Sequence, residues 1–241
     1  RQADGKLLLA GSAAPTGQTP RFALLRYNTN GSLDATFDGD GRAFLQFTGQ
    51  YEEAHAVAIQ SGGGSKPDRI VVVGSSFDPG AGASGFAVAR YNLNGTLDSG
   101  FDGDGKVLVI PAGRNSYGYA VAIQTDRTGT SKITVGGTSQ TLPTYAGAFG
   151  AVRLTAAGAL DTSFDGDGMA FVDGVWSNSS AYAMRVSGAG IVLAGTCQNP
   201  AGADVAVARL TAAGALDTGF NGTGTRTDDV GRISVEARAV A

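Results

Sequence analysis

Four passages of one pattern constrain what this chain can become. They read SLDATFDGDGRAF (32–44), TLDSGFDGDGKVL (96–108), ALDTSFDGDGMAF (159–171) and ALDTGFNGTGTRT (215–227). Each sits in the same order among four other recurring strings. A small-residue string appears as AHAVAIQ (54–60), YAVAIQ (119–124), AYAMRVS (181–187) and ARAVA (237–241). An apolar string ending in glycine appears as KLLLAGS (6–12), RIVVVGSS (69–76), KITVGGTS (132–139) and GIVLAGTC (190–197). A third ends at an arginine: RFALLRYN (21–28), GFAVARYN (85–92), FGAVRL (149–154) and DVAVARL (204–210). The fourth follows the opening pattern as RAFLQF (42–47), KVLVI (106–110), MAFV (169–172) and a poor TRTDDV (225–230).

Arg26, Arg90, Arg153 and Arg209 are 64, 63 and 56 residues apart. Each period therefore holds four short strands rich in Val, Ala, Leu and Phe, bounded by Gly, Asn, Asp and Pro. No window sustains a helical period. LTAAGALD (154–161 and 210–217) tempts a helix through its alanines, but it fills the slot of YNLNGTLD, where Asn-Gly signals a hairpin. The expectation is an all-β β-propeller of four-stranded antiparallel blades, four repeats in a single domain over 1–241. The repeat units run over about 54–116, 117–180 and 181–236, with 237–241 plus 1–53 forming a split repeat. The C-terminal strand would complete the first blade and remove both unpaired edges. Two arrangements satisfy this phase: a four-bladed ring sealed by its own termini, or a stretch of a longer array. The second also accounts for a chain that starts in mid-pattern.

These motifs resemble the delta-60 repeat family of large, often exported, bacterial propeller-like proteins. RYNLNGTLDSGFDGDGKVLV, AVAIQ and ADGKLLLAGS carry the resemblance, which extends over nearly the whole chain. Repeats three and four depart from it, with LTAAG in place of YN…NG, and FNGTGT lacks both aspartates. The resemblance implies a propeller and a secreted or cell-surface setting. It brings no catalytic residues.

Composition narrows the partners. A net charge of −3 with scattered arginines argues against nucleic acid and anionic membranes. No apolar run approaches a membrane span. Cys197 is alone, so no intrachain disulfide forms. The 38 glycines lack a three-residue period and suit many tight turns.

The repeated polar residues have two readings each. Arg26/Asp34, Arg90/Asp98, Arg153/Asp161 and Arg209/Asp217 keep an offset of eight. A ring of charge could hold a ligand, but one bidentate structural pair per blade is the favoured reading, because every blade repeats it. Phe37, Phe101, Phe164 and Phe220 follow three residues later as core plugs between blades. Asp38, Asp40, Asp102, Asp104, Asp165 and Asp167 are calcium candidates, two per loop. Calcium wants six to eight oxygens, so a tight turn with local hydrogen bonds is favoured and no cofactor is expected.

Single residues point weakly to catalysis. His55 is the only histidine and is read as a surface or strand-edge residue. Glu52 and Glu53 are adjacent, alternate in direction on a strand, and are read as solvated. Cys197 follows an apolar strand without basic neighbours and is read as inert. Trp176, Tyr117, Tyr119, Tyr145 and Tyr182 could line a sugar or peptide groove, though packing is the commoner role. Asn30, Asn94, Asn178 and Asn221 fit the glycosylation pattern and are read as turn residues. The variable segments 12–20, 75–85, 138–148 and 196–203 all join strands two and three. They would cluster on one face as the contact surface for a protein or glycan. The resulting expectation is a non-catalytic structural or interaction module. The alternatives are a carbohydrate-active propeller enzyme, glycosidase- or lyase-like, and a calcium-stabilised adhesin.

Overall fold

A computed structural model describes the chain apart from residues 15, 48–49, 64–66, 126–129, 189, 200–201, 230–236, 239 and 241. Fifteen strands form four antiparallel sheets, with no helix among the described residues. Sheet 1 contains β1 (Leu7–Ala13), β2 (Arg21–Tyr27) and β3 (Arg42–Leu45). Sheet 2 contains β4 (Glu53–Gln60), β5 (Arg69–Asp78), β6 (Ala83–Asn92) and β7 (Lys106–Val109). Sheet 3 contains β8 (Arg114–Thr125), β9 (Ser131–Thr141), β10 (Ala146–Thr155) and β11 (Met169–Val172). Sheet 4 contains β12 (Ser177–Ser187), β13 (Gly190–Asn199), β14 (Gly202–Leu210) and β15 (Thr225–Asp228). Strands pair in chain order within every sheet. Even the poor fourth-strand string of the last repeat forms its strand.

Two expectations change. Sheet 1 has three strands, not four. Of the segment expected to complete it, Ala239 and Ala241 lie outside the described residues, and Ala237, Arg238 and Val240 form no strand pairing. Arg238 instead sits 5.8 Å over the ring of Tyr182 on β12. The expected variable loops are also much shorter. Residues 75–78 and 83–85 continue β5 and β6, leaving 79–82 as the turn, and only 142–145 separate β9 from β10. Thr196–Asn199 belong to β13 and Gly202 begins β14, while Ser12 and Ala13 belong to β1. Hydrogen-bonded strand pairing satisfies these polar, small-residue segments better than open loop does.

The first strand of each complete sheet carries a bulge. Register shifts fall between Ala54/Ala56, Gly118/Ala120 and Ala181/Ala183, so His55, Tyr119 and Tyr182 are the extra residues. The bulge explains the glycine that ends each second-strand string. A Cβ on Gly74, Gly137 or Gly195 would lie 1.8, 1.9 and 1.9 Å from the carbonyl oxygens of Glu53, Tyr117 and Ser180. Gly11 on β1 meets nothing within 4 Å, and among the described residues no first strand lies beside it.

Sheets stack face to face, and each joint is a separate core. Phe22, Leu24 and Phe37 pack with Ile70, Val72, Ala87 and Ala89 between sheets 1 and 2. Val71, Val73, Phe86, Val88 and Phe101 pack with Ile133, Val135 and Leu154 between sheets 2 and 3. Phe149, Ala151 and Phe164 pack with Ile191, Leu193, Ala206 and Ala208 between sheets 3 and 4. β4, β8 and β12 also contact one another in succession, marking the inner edge of the stack. Among the described residues, sheet 4 makes no comparable contact with sheet 1, so the four sheets do not close on themselves.

Candidate functional site

The repeated polar residues converge at the joints. Nε of Arg26, Arg90, Arg153 and Arg209 lies 2.7, 2.8, 2.6 and 2.7 Å from Oδ2 of Asp34, Asp98, Asp161 and Asp217. The hairpin returns each Asp to its Arg, since the Asp amide donates to the Arg carbonyl in all four copies. The Phe three residues further on lies under the same guanidinium, at 4.7, 4.8, 4.6 and 5.1 Å.

A second cation reaches three of these carboxylates. Lys6, Arg69 and Lys132, each at the start of a second-strand string, lie 2.8, 2.7 and 2.6 Å from Oδ2 of Asp34, Asp98 and Asp161. Gly190 holds that place in sheet 4. Oδ1 is occupied as well, accepting from the backbone amides of Thr36, Gly100, Ser163 and Gly219. The hydrogen bond from Lys6 and those from Thr36 hold the Asp34 carboxyl far below its ordinary range. Burial alone would raise Asp98 and Asp161, but the bonds from Arg69 and Lys132, and those from Gly100 and Ser163, pull both below that range.

The arginines also span the joints. Nη1 of Arg26, Arg90 and Arg153 donates to the carbonyl of Leu93, Ala156 and Ala212, each in the next sheet's hairpin. Beside this, the backbone N–H of Asp38, Asp102 and Asp165 donates to the carbonyl of Asn94, Ala157 and Ala213 at 2.7, 2.8 and 2.6 Å. These aspartates have φ of 50–51°, a conformation that Asp tolerates better than most residues. The opposing Gly95, Gly158 and Gly214 leave no room for a Cβ, which would meet the same aspartate amide at 2.8, 3.0 and 2.9 Å.

The second aspartate of each calcium-like loop closes a turn. Oδ1 of Asp40, Asp104 and Asp167 accepts from the amides of Arg42, Lys106 and Met169. The fourth copy keeps both functions with other residues: Asn221 adopts φ 53°, and Thr223 Oγ1 accepts from Thr225 N. No group of three or more His, Cys, Asp or Glu that could hold a metal ion occurs among the described residues.

Clefts open beside the joints. The one between sheets 2 and 3, about 410 Å³, is lined by Gln60, Arg69, Arg90, Asp98, Ser131 and Ala156. Its charges are engaged: Arg69 Nη1 donates to the carbonyls of Pro67 and Asp68, and Arg90 Nη1 reaches Gln60 Oε1 as well as Ala156. On the side of the hairpins joining strands two and three, Tyr51, Glu53, Phe77 and Tyr117 line a smaller cleft of about 280 Å³. Tyr51 is 69% exposed and meets Phe77 edge-on at 6.4 Å.

The remaining candidates fall as follows. Glu52 is fully buried rather than solvated, with Oε1 accepting from Phe47 N at 2.7 Å and from Ser76 Oγ at 3.4 Å. Ser116 and Ser179 occupy the same place in sheets 3 and 4 and are equally buried. The strand alternation that separates Glu52 from Glu53 sends one into the joint and leaves the other exposed. His55 stacks on Tyr119 at 4.8 Å, and Tyr119 on Tyr182 at 5.4 Å, forming an aromatic row along the inner edge. Burial lowers the His55 pKa and pushes Tyr119 up to about 12. Trp176 packs on Phe149, and Tyr145 stands 58% exposed at a turn. Cys197 is buried, which raises its thiol pKa.

A family model described as a domain of unknown function (DUF5122) beta-propeller matches residues 2–37, 66–101 and 131–164. Each match stops at the phenylalanine of the joint: Phe37, Phe101 and Phe164. The matched unit therefore covers the second cation, the arginine and the aspartate of sheets 1, 2 and 3. The three matches support a β-propeller repeat family. No curated protein matches the chain.

Proposed function

We propose that this chain is a propeller-type, non-catalytic interaction module of the delta-60 kind, working in an exported or surface bacterial protein. The carrying observation is the state of its repeated carboxylates. Asp34, Asp98, Asp161 and Asp217 are each tied to an arginine, and Asp40, Asp104 and Asp167 to turn amides. Acid–base chemistry on a glycan needs two carboxyl groups free to face one bond, whereas the first four are engaged in ion pairs and the last three in local turns. The Tyr51–Phe77–Tyr117 cleft is the best-formed contact surface on the hairpin side, with Glu53 as its charged member. Its aromatic faces suit a sugar ring or an extended peptide.

Glycan and peptide arrays probed with the intact chain test this reading. Binding that drops at least about tenfold in Tyr51→Ala without a change in melting temperature is the expected result. Release of reducing ends from any bound glycan would replace the module with an enzyme.

A further inference from the structure

Each of the three joints mates two different faces. The face that looks forward along the chain offers the third-strand apolar residues, the arginine, the phenylalanine and the positive-φ residue after it. The face that looks back offers the second-strand apolar residues and a hairpin turn. One copy of each face is left without a partner sheet among the described residues.

The backward face of sheet 1 is open. Leu7 and Leu9 are 50% and 56% exposed, whereas their counterparts Ile70, Val72, Ile133, Val135, Ile191 and Leu193 are at 0–1%. Gly31, counterpart of Gly95, Gly158 and Gly214, meets nothing within 4 Å. The forward face of sheet 4 is open too. Val205, Val207 and Phe220 are half-buried where Phe22, Leu24 and Phe37 are fully buried. The Arg209 side chain is 34% exposed, against 6–8% for Arg26, Arg90 and Arg153. Asn221 already holds the φ of 53° at which Asp38, Asp102 and Asp165 present their amides to the next sheet.

We infer that the forward face of sheet 4 docks on the backward face of sheet 1 of a second copy of this chain. The internal joints supply the template: Val205, Val207 and Phe220 cover Leu7 and Leu9, Arg209 reaches the Thr29 carbonyl, and the Asn221 amide reaches the Asn30 carbonyl. Contacts between unlike faces are heterologous, and they close when the rotations sum to a full turn. Two copies bring eight sheets together, within the range of propeller rings. Such a ring has two new joints and no apolar sheet face left in water. This inference does not depend on the glycan or peptide reading above, since it concerns the sheet faces and not the hairpin side.

Sedimentation velocity and light scattering on the full chain test it. Wild type should have twice the 24.2 kDa chain mass. The double variant Leu7→Glu/Leu9→Glu and the single variant Val207→Glu should each be monomeric, with unchanged β-sheet circular dichroism. Mixed in equal amounts, they should recover a dimer containing one of each, because one joint then unites two unmodified faces. Should the glutamates impair folding, Leu7→Ser/Leu9→Ser, at positions already half exposed, should weaken the dimer at least about tenfold. A monomeric wild type would overturn the inference, whether the chain closes on itself or stays open. A dimer that survives both leucine double variants, or a mixture that stays monomeric, would overturn it equally.

Discussion

The joint between sheets 2 and 3 and the forward face of sheet 4 are built from one set of residues in two settings. At the joint, Phe101 is fully buried under Arg90, and Arg90 reaches across to Ala156. On sheet 4, Phe220 lies under Arg209 at nearly the same distance but stays half-buried, and among the described residues no sheet packs on it. The arginine–aspartate–phenylalanine unit therefore forms within one sheet, from local sequence. What a neighbouring sheet adds is a pair of hydrogen bonds across the joint and desolvation, and desolvation decides how much each interaction contributes.

Phenylalanine deletion should break this comparison most visibly. Phe101→Ala removes a fully buried ring and its contact with Arg90, and should cost about 3–5 kcal/mol. In the monomeric background of Leu7→Glu/Leu9→Glu, Phe220→Ala should cost less than about half of that, because part of the ring faces water when no second copy covers it. Urea melts of the two variants check the ratio; equal losses would mean that the ring works inside its own sheet.

The ion pairs give the next contrast. Asp98→Asn leaves Arg69 and Arg90 without their shared carboxylate and should cost about 2–4 kcal/mol, with glycan or peptide binding unchanged. In the same monomeric background, Asp217→Asn affects a single, more exposed pair and should cost about 1 kcal/mol or less. Equal melting temperatures for wild type and Asp98→Asn would remove the structural role. The same groups set the acid limit. The pKa values of Asp34, Asp98 and Asp161 in the folded state lie below their ordinary 3.8. Their contribution is fully present above that value and is lost as the pH falls through the lower, folded-state values. The share of stability from these three carboxylates should therefore be flat from pH 7 to about 5 and fall below about pH 4, beneath a smaller decline that starts near pH 6.5 because the unfolded chain protonates His55 more readily than the folded one. A chain equally stable at pH 2 would contradict this.

Much of this was legible in the sequence because the physics repeats with the period. The four-strand unit, the turns at LTAAG and the offset of eight all follow from local patterns. The second cation was legible in principle: Lys6, Arg69 and Lys132 stand at one phase of the repeat. They went unseen because the fourth copy has Gly190, so the position looks variable. Glu52 was missed for a related reason. Its counterparts are Ser116 and Ser179, and only burial in the joint unites a glutamate with two serines. The bulges at His55, Tyr119 and Tyr182 leave a trace only in the glycine opposite, Gly74, Gly137 or Gly195. That glycine had passed for an ordinary strand end. Loop length misled for another reason, since polar strand ends in long hairpins look like loops when read by composition.

The turn glycines test the comparison at its finest grain. Gly158 and Gly31 occupy the same place in their hairpins, with φ of 97° and 84°. Alanine at either position bears the left-handed penalty of about 1 kcal/mol. Only Gly158 has a neighbouring sheet against it, with the Asp102 amide 3.0 Å from a new Cβ. Gly158→Ala should therefore exceed Gly31→Ala by about 1 kcal/mol in the monomeric background of Val207→Glu. In the wild-type background, the head-to-tail joint puts a sheet over Gly31 as well, and the two losses should converge. The difference between backgrounds then measures the joint itself, through a residue that touches neither the apolar patch nor the ion pair.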